Sequence, residues 1–492
     1  MATKSPRGTF IIVPMRRSIL VFLLGLLVPL AAAEGLPDLG EVSQADFSPL
    51  MEKRVGEQIM KEVRLREPSY LDDPEVTSYL NKLGRRLASN SEEARQEFEF
   101  FALKDSTLNA FALPGGYIGV HTGLIMAAQS ESELAGVLAH EISHVTQRHI
   151  ARGINKAQQS QAASWLAIAV AILAARSNSD AAMGAMVAGQ AAGVSSQLAY
   201  SRDFEREADR VGLNVLERSG FDVRGMGAFF ERLQQAGRLY ENNAPGYLMT
   251  HPLTLERISD MDNRIQMRPY KQVPDSTDFG LVRAKLKAQE GSVQDAITEF
   301  ETRLRERKFA SEESARYGLA IALWRAKNYA AAEKQVAELR RLKITSFMVE
   351  TLAAELRLRQ GDAASAITLL RAAAARFPQE RAITYDLVDA LLTAGRAEEA
   401  LKVTVADLQA YTTDYRMHAF QAKSYALLGK RLQQHRAQGE AYFLQGLLMP
   451  AIEQFELAQK STDGDFYEHS QVDARLRELK RRQLEEMKQK KP

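Results

Sequence analysis

Cysteine is absent from the 492 residues. That excludes disulfides and removes thiolates from the possible metal ligands, so any metal site must be assembled from His, Asp and Glu. Long apolar runs are missing too. Ile19 to Val28 covers ten residues and Ala162 to Ala175 fourteen, both short of the ~20 that a membrane-spanning helix needs. Nor is there an excess of charge of either sign. The net value is +2, and it becomes −2 if the four basic residues within the first 33 are removed. A near-neutral chain is ill suited to hold nucleic acid by bulk electrostatics. What remains is 45% hydrophobic and 26% charged, the balance of a folded globular protein, and the length implies two or more domains.

The first 33 residues read as a targeting segment. Lys4, Arg7, Arg16 and Arg17 form a basic start, the short apolar run follows, and Ala31-Ala32-Ala33 offers small residues to a signal peptidase. Met15-Arg16-Arg17 is a possible later start for the same signal. Residues 34–46 then form an arm of Gly, Pro, Asp and Ser. From Leu50 to Ala88 the apolar spacing is helical. Phe98 to Leu103, Asn109 to Leu113 and Tyr117 to His121 are strand-like, with the turn signal Pro114-Gly115-Gly116 between the last two. A small antiparallel sheet between helices is the expectation. Ser130 or Ser132 caps the next helix. The Ala-, Gly- and Met-rich stretch Ala162 to Val194 is expected to be a buried helix, a lid or a membrane-touching loop.

After Arg268 the chain is helical and periodic. Gly361, Gly395 and Gly429 are spaced by 34 residues, and Ala296, Ala332, Ala366 and Ala400 follow five residues after the turns at Gly291, Lys327, Gly361 and Gly395, whereas Gln434 takes that place after Gly429. A period of 34 with a turn in each unit predicts tetratricopeptide repeats stacked into a solenoid. Arg475 to Lys491 is a charged amphipathic tail, expected to be a solvated cap.

His140-Glu141-Ile142-Ser143-His144 is an H-E-x-x-H sequence on a predicted helix. Positions i and i+4 share a face, so both imidazoles can reach one zinc ion while Glu141 can take a proton from the metal's water. Downstream, Glu205 and Asp209 are again i, i+4. One can ligate and the other can fix a ligand histidine's tautomer. Glu207 competes with Glu205 for the role of third ligand. His149 falls about half a helical turn out of phase with His140 and should not join the metal. His121 is expected to be structural, and His418, His435 and His469 to lie on the surface of the repeats. His251, before Pro252, is a candidate oxyanion stabiliser or fourth ligand.

His140-Glu141-x-x-His144, Glu205-x-x-Ala208-Asp209 and His251-Pro252 with Arg257 resemble the gluzincin metallopeptidases, the group of the CAAX prenyl proteases and HtpX. The targeting segment and repeats resemble, more narrowly, its periplasmic branch in Gram-negative bacteria that serves outer-membrane assembly. The resemblance implies an α+β, mainly α, zincin-like domain followed by an all-α tetratricopeptide-repeat solenoid. It implies one Zn²⁺ per chain on His140, His144 and Glu205, catalysis by Glu141, Asp209 behind the ligands, and Asn109 at a substrate-binding edge strand. It implies misfolded or stalled outer-membrane proteins as substrates and contact with the barrel-assembly machinery through the repeats. No nucleic acid is expected, and the enzyme is expected to be either soluble or peripherally attached to a membrane. The expected divisions are a signal peptide at 1–33, a peptidase domain at 34–268, a linker at 269–278, repeats at 279–465 and a tail at 466–492. Two functions compete on this footing, a quality-control endopeptidase and an assembly adaptor that rarely cuts. A further expectation is that His251 and Ala162 to Val194 keep the site closed until a partner arrives.

Overall fold

A computed structural model describes residues 48–93, 96–153, 202–239 and 246–489. The targeting segment, the N-terminal arm and the stretch Ala162 to Val194 lie outside the described residues. No helix among the described residues is long and apolar enough to cross a membrane.

Helix α1 (Pro49–Arg66) starts at Ser48, whose side chain accepts from the Met51 amide, and has proline in its first turn. After the two-residue strand β1 (Tyr70–Leu71), Asp73 caps α2 (Pro74–Ala88) by accepting from the amides of Glu75 and Val76. What read as one helical stretch is therefore two helices separated by a short strand. Strands β2 (Glu99–Leu103), β3 (Ala110–Leu113) and β4 (Tyr117–His121) complete a four-stranded sheet of order β1-β2-β4-β3.

The sheet is mixed, not antiparallel: β2 and β4 pair parallel, and the other pairings are antiparallel. The reason is connectivity. The β3–β4 hairpin folds back so that β4, not β3, takes the place beside β2, and β3 is left at the edge. The alternation expected of β2 is also lost, because both of its faces are covered. Phe101 and Leu103 pack with Val55, Ile59 and Val63 of α1, while Phe100 and Ala102 join the larger core with Leu80 and Leu83 of α2.

Helix α3 (Thr122–Ala127) leads to α4 (Glu131–Thr146), capped by Ser130. Residues 131–145 of α4 are all buried, so it is the central helix of this half of the molecule. It is followed by α5 (His149–Gly153), α6 (Arg202–Arg218), α7 (Arg224–Leu239), α8 (Gly246–Thr250) and α9 (Leu255–Gln266). Helix α6 approaches α4 at Gly212, where a Cβ would stand 3.1 Å from the His140 Cα.

Helical hairpins fill the rest: α10 (Thr277–Gln289), α11 (Val293–Glu306), α12 (Glu312–Arg325), α13 (Tyr329–Arg341), α14 (Phe347–Arg359) and α15 (Ala363–Arg376). They continue through α16 (Arg381–Thr393), α17 (Ala397–Ala410), α18 (Tyr415–Leu427), α19 (Arg431–Leu444), α20 (Leu448–Gln459) and α21 (Phe466–Gln489). The period has a direct backbone cause. Gly361, Gly395 and Gly429 hold φ of 84°, 71° and 72°, and Lys327 takes 59° at the equivalent turn, the left-handed conformation that ends a helix and starts its partner. Ala296, Ala332, Ala366 and Ala400 are buried where paired helices touch. The tail is less solvated than its composition suggests, since Val472, Leu476 and Leu479 pack under α20.

The hairpins curl around the N-terminal end of α2. Glu75 receives Lys285 of α10 at 2.6 Å and Tyr317 of α12 at 3.4 Å, and also pairs with Thr351 of α14. Ser78 pairs with Glu380, the residue just before α16. Tyr415 of α18 donates to Asp72 at 2.6 Å. The segment 269–276 between the halves is pinned, because the Asp275 carboxylate accepts from the Glu131 amide at 2.7 Å and Ser276 donates back to the Glu131 carboxylate.

Candidate metal centre

Helix α4 carries His140, Glu141 and His144, all fully buried. Helix α6 brings Glu205 and Asp209 against them, and the turn after α8 brings His251. The Nε2 atoms of His140 and His144 lie 3.0 Å apart. Glu205 Oε2 is 3.6 Å from His140 Nε2, and its Oε1 is 3.5 Å from His144 Nε2. His251 Nδ1 is 3.0 Å from Glu205 Oε1 and its Nε2 is 3.5 Å from Glu141 Oε1. Ligand atoms of His140, His144, Glu205 and His251 all fall within 4.8 Å of one another.

These residues fit a zinc ion. Tetrahedral bonds of ~2.0–2.1 Å imply ligand–ligand edges of ~3.3–3.4 Å, near the separations just given. The two Nε2 atoms, 3.0 Å apart, can turn their lone pairs to one cation when both rings are neutral. Neither carboxylate oxygen of the buried Glu141 has a hydrogen-bond partner among the described residues. A buried orphan of this kind is costly and marks a group kept for use.

The outer contacts fix the ligands. His140 Nδ1 is 3.0 Å from Asp209 Oδ1, which holds the imidazole with Nε2 facing inward. Arg257 of α9, itself buried, donates to Asp209 through Nε at 2.7 Å and Nη2 at 2.8 Å, and reaches Glu205 Oε2 with Nη1 at 2.8 Å. Burial presses the His140 imidazole downward, but the Asp209 and Glu205 carboxylates outweigh it and raise its pKa to about 9. Burial would raise the Glu205 carboxyl, yet the imidazoles of His251, His140 and His144 reverse that and hold it well below the usual carboxylate range. Burial also pushes His144 well down.

Glu205, not Glu207, enters the ligand group. His149 stays outside the group but touches it: His149 Nδ1 is 2.9 Å from His144 Nδ1, and His149 Nε2 is 3.0 Å from Glu207 Oε2. The helical-phase reading had no means of finding that contact, because α4 ends at Thr146 and Arg148, with φ of 51°, turns the chain back. Arg257 was visible only as part of a motif, with no role attached to it. Asn109 lies just before edge strand β3, fully buried, with neither amide atom partnered. Its neighbour Leu108 accepts from the Tyr247 amide at 3.3 Å, and the Tyr247 ring stacks on His251 at 4.5 Å. His121 braces a loop, with Nδ1 at 2.7 Å from Thr107 Oγ1 and 3.6 Å from Asp105. His418, His435 and His469 are half-buried on the repeats, far in sequence from the ligand group.

Residues 74–265 match the model of peptidase family M48, and residues 281–344 and 357–424 match tetratricopeptide-repeat models. The "Beta-barrel assembly-enhancing protease" of Yersinia pestis is 32% identical over 92% of this chain and 93% of its own length. The protein of the same name from Escherichia coli K12 is 32% identical over the same shares of the two chains. The "Mitochondrial metalloendopeptidase OMA1" of Arabidopsis thaliana is 31% identical over 40% of this chain and 38% of its own. Among solved structures, the tetratricopeptide protein YrrB covers 36% of this chain and 89% of its own at 15% identity, with a TM-score of 0.29.

Proposed function

The chain belongs to the beta-barrel assembly-enhancing protease family, an M48 metallopeptidase joined to tetratricopeptide repeats, and from that premise we propose that it cuts misassembled outer-membrane proteins in the periplasm. The observation that carries this reading is the buried group of four ligand atoms beside the unpartnered carboxylate of Glu141.

In this reading His140, His144 and Glu205 hold the zinc ion, with His251 as a fourth ligand at rest, and Asp209 and Arg257 keep the set in place. Bound zinc supplies a Lewis acid that polarises the scissile carbonyl and acidifies a water molecule. Glu141 would take a proton from the attacking water and deliver it to the leaving amine. Edge strand β3 receives the client as an added strand, and the Asn109 amide holds its backbone. When the client arrives, His251 turns from Glu205 toward the developing oxyanion. Residues 1–33 direct export and are removed, 34–268 form the peptidase, 269–278 the link, 279–465 the repeats and 466–492 the closing helix. The repeats present clients and contact the barrel-assembly machinery.

An assembly adaptor with little turnover is the competing function, and the repeats favour it because solenoids of this kind commonly bind protein. Glu141→Gln separates the two. Peptide hydrolysis should fall by ~10²–10⁴-fold, the range of one general base, with metal content and thermal midpoint unchanged. If outer-membrane assembly in cells is fully supported by this variant, the adaptor reading holds. A His140→Ala protein that retains one zinc per chain would remove the metal site proposed here.

A further inference from the structure

His144 presents Nε2 to the ligand group, so its Nδ1 has to carry the ring proton when the ring coordinates as a neutral imidazole. Asp209 serves His140 in this way. The atom facing His144 Nδ1 is Nδ1 of His149, at 2.9 Å, between rings with centroids 4.9 Å apart at 78°. Only an unprotonated His149 Nδ1 can accept there. A neutral His149 must then carry its single proton on Nε2, which points at Glu207 Oε2 at 3.0 Å. That carboxylate oxygen also accepts from Arg152 Nη1 at 2.9 Å, and an ionised carboxylate can only accept. The His149 ring is held flat against Phe204, with centroids 4.5 Å apart and planes 8° from parallel, and the Arg152 guanidinium lies 4.6 Å from the centroid of the same ring.

We propose that Glu207 and His149 are positioning residues for the metal. Glu207 fixes the tautomer of His149, and His149 in turn fixes His144 with its Nε2 lone pair toward the ion. The inference rests on the zinc site proposed above and extends it outward by two side chains. The relay makes the direction of one proton chain a condition for binding: reversed, with His149 donating to His144 Nδ1, the proton of His144 would sit on Nε2 and block coordination.

His149→Phe keeps the ring stack on Phe204 and removes the acceptor. Its zinc affinity, measured by competition with a chromophoric chelator, should fall ~10–100-fold, as for other outer partners of ligand histidines. His149→Gln, whose carbonyl can accept from His144, should recover most of that loss. Glu207→Ala, at a position a quarter exposed, tests the relay without disturbing the core and should weaken zinc severalfold. Long-range ¹H–¹⁵N spectra of the zinc-loaded parent should show the His144 proton on Nδ1 and the His149 proton on Nε2. Either histidine in the opposite tautomer overturns the proposal. So does a folded His149→Phe protein that binds zinc within twofold of the parent. If His149→Phe does not fold, an unchanged affinity in Glu207→Ala decides against the relay. A parent protein that binds no zinc at all would instead fail the metal site itself.

Discussion

Arg257 donates to Asp209 twice and forms an ion pair with Glu205 from a position only 3% exposed. Removing one partner of a buried ionic group is costly because the remaining charges stay buried without it. Arg257→Ala should lower stability by about 3–5 kcal/mol and weaken zinc ~10–100-fold, read by urea denaturation and chelator competition. Arg257→Lys should recover part of the stability and less of the affinity, because an ammonium cannot reproduce the planar fork. At this scale the shared faces of His140 with His144 and of Glu205 with Asp209 were legible in the sequence, since i, i+4 spacing on a helix has a fixed geometry. Arg257, His149 and Glu207 were not. Their contacts depend on where α4 stops, on the turn at Arg148 and on how α9 crosses α6, and none of these leaves a periodic mark.

The placement of α6 on α4 sets the distance between the ligand pairs, and Gly212 permits it. A Cβ there would meet the His140 backbone at 3.1 Å, and backbone, unlike a long side chain, cannot swing aside. Gly212→Ala should push α6 outward by a few tenths of an ångström. Zinc affinity should drop on the order of tenfold while the thermal midpoint falls by only a few degrees, because overpacking of this size costs about 1–3 kcal/mol. A variant with unchanged affinity would show that the α4–α6 spacing has slack. The helices were recognisable from their apolar faces and caps. Strand order was not, because a hairpin signal in Pro114-Gly115-Gly116 says which strands are joined but not which one takes the inner place.

At the scale of the whole molecule the two halves share a core, and a buried charged group lies across their boundary. Burial opposes the Lys285 ammonium, but Glu75 and Asp73 on α2 hold its pKa up. Lys285→Ala should cost about 3–5 kcal/mol by urea denaturation. Asp386 on α16 is the uncomfortable member of the group. Burial, and then the Glu75 carboxylate, push its carboxyl well above the usual range. A carboxyl raised in the folded state binds its proton there more tightly than in the unfolded chain. Stability is therefore lost as pH rises from the ordinary aspartate value of 3.8 through the raised one. Asp386→Asn should raise the thermal midpoint at neutral pH, and the gain should shrink to nothing near pH ~4. A gain that grew on acidification would contradict this assignment.

The 34-residue period announced the solenoid, yet nothing in it announced what the solenoid grips. Tyr415 reaches back across 343 positions to Asp72, at the entry to α2, so that contact forms only after the repeats have been made. Bonds between such distant positions close late in folding. The peptidase half should therefore wait for the repeats before α2 is fully seated. A chain stopped at residue 410 should release α2 to hydrogen exchange while the hairpins from α11 to α15 stay protected.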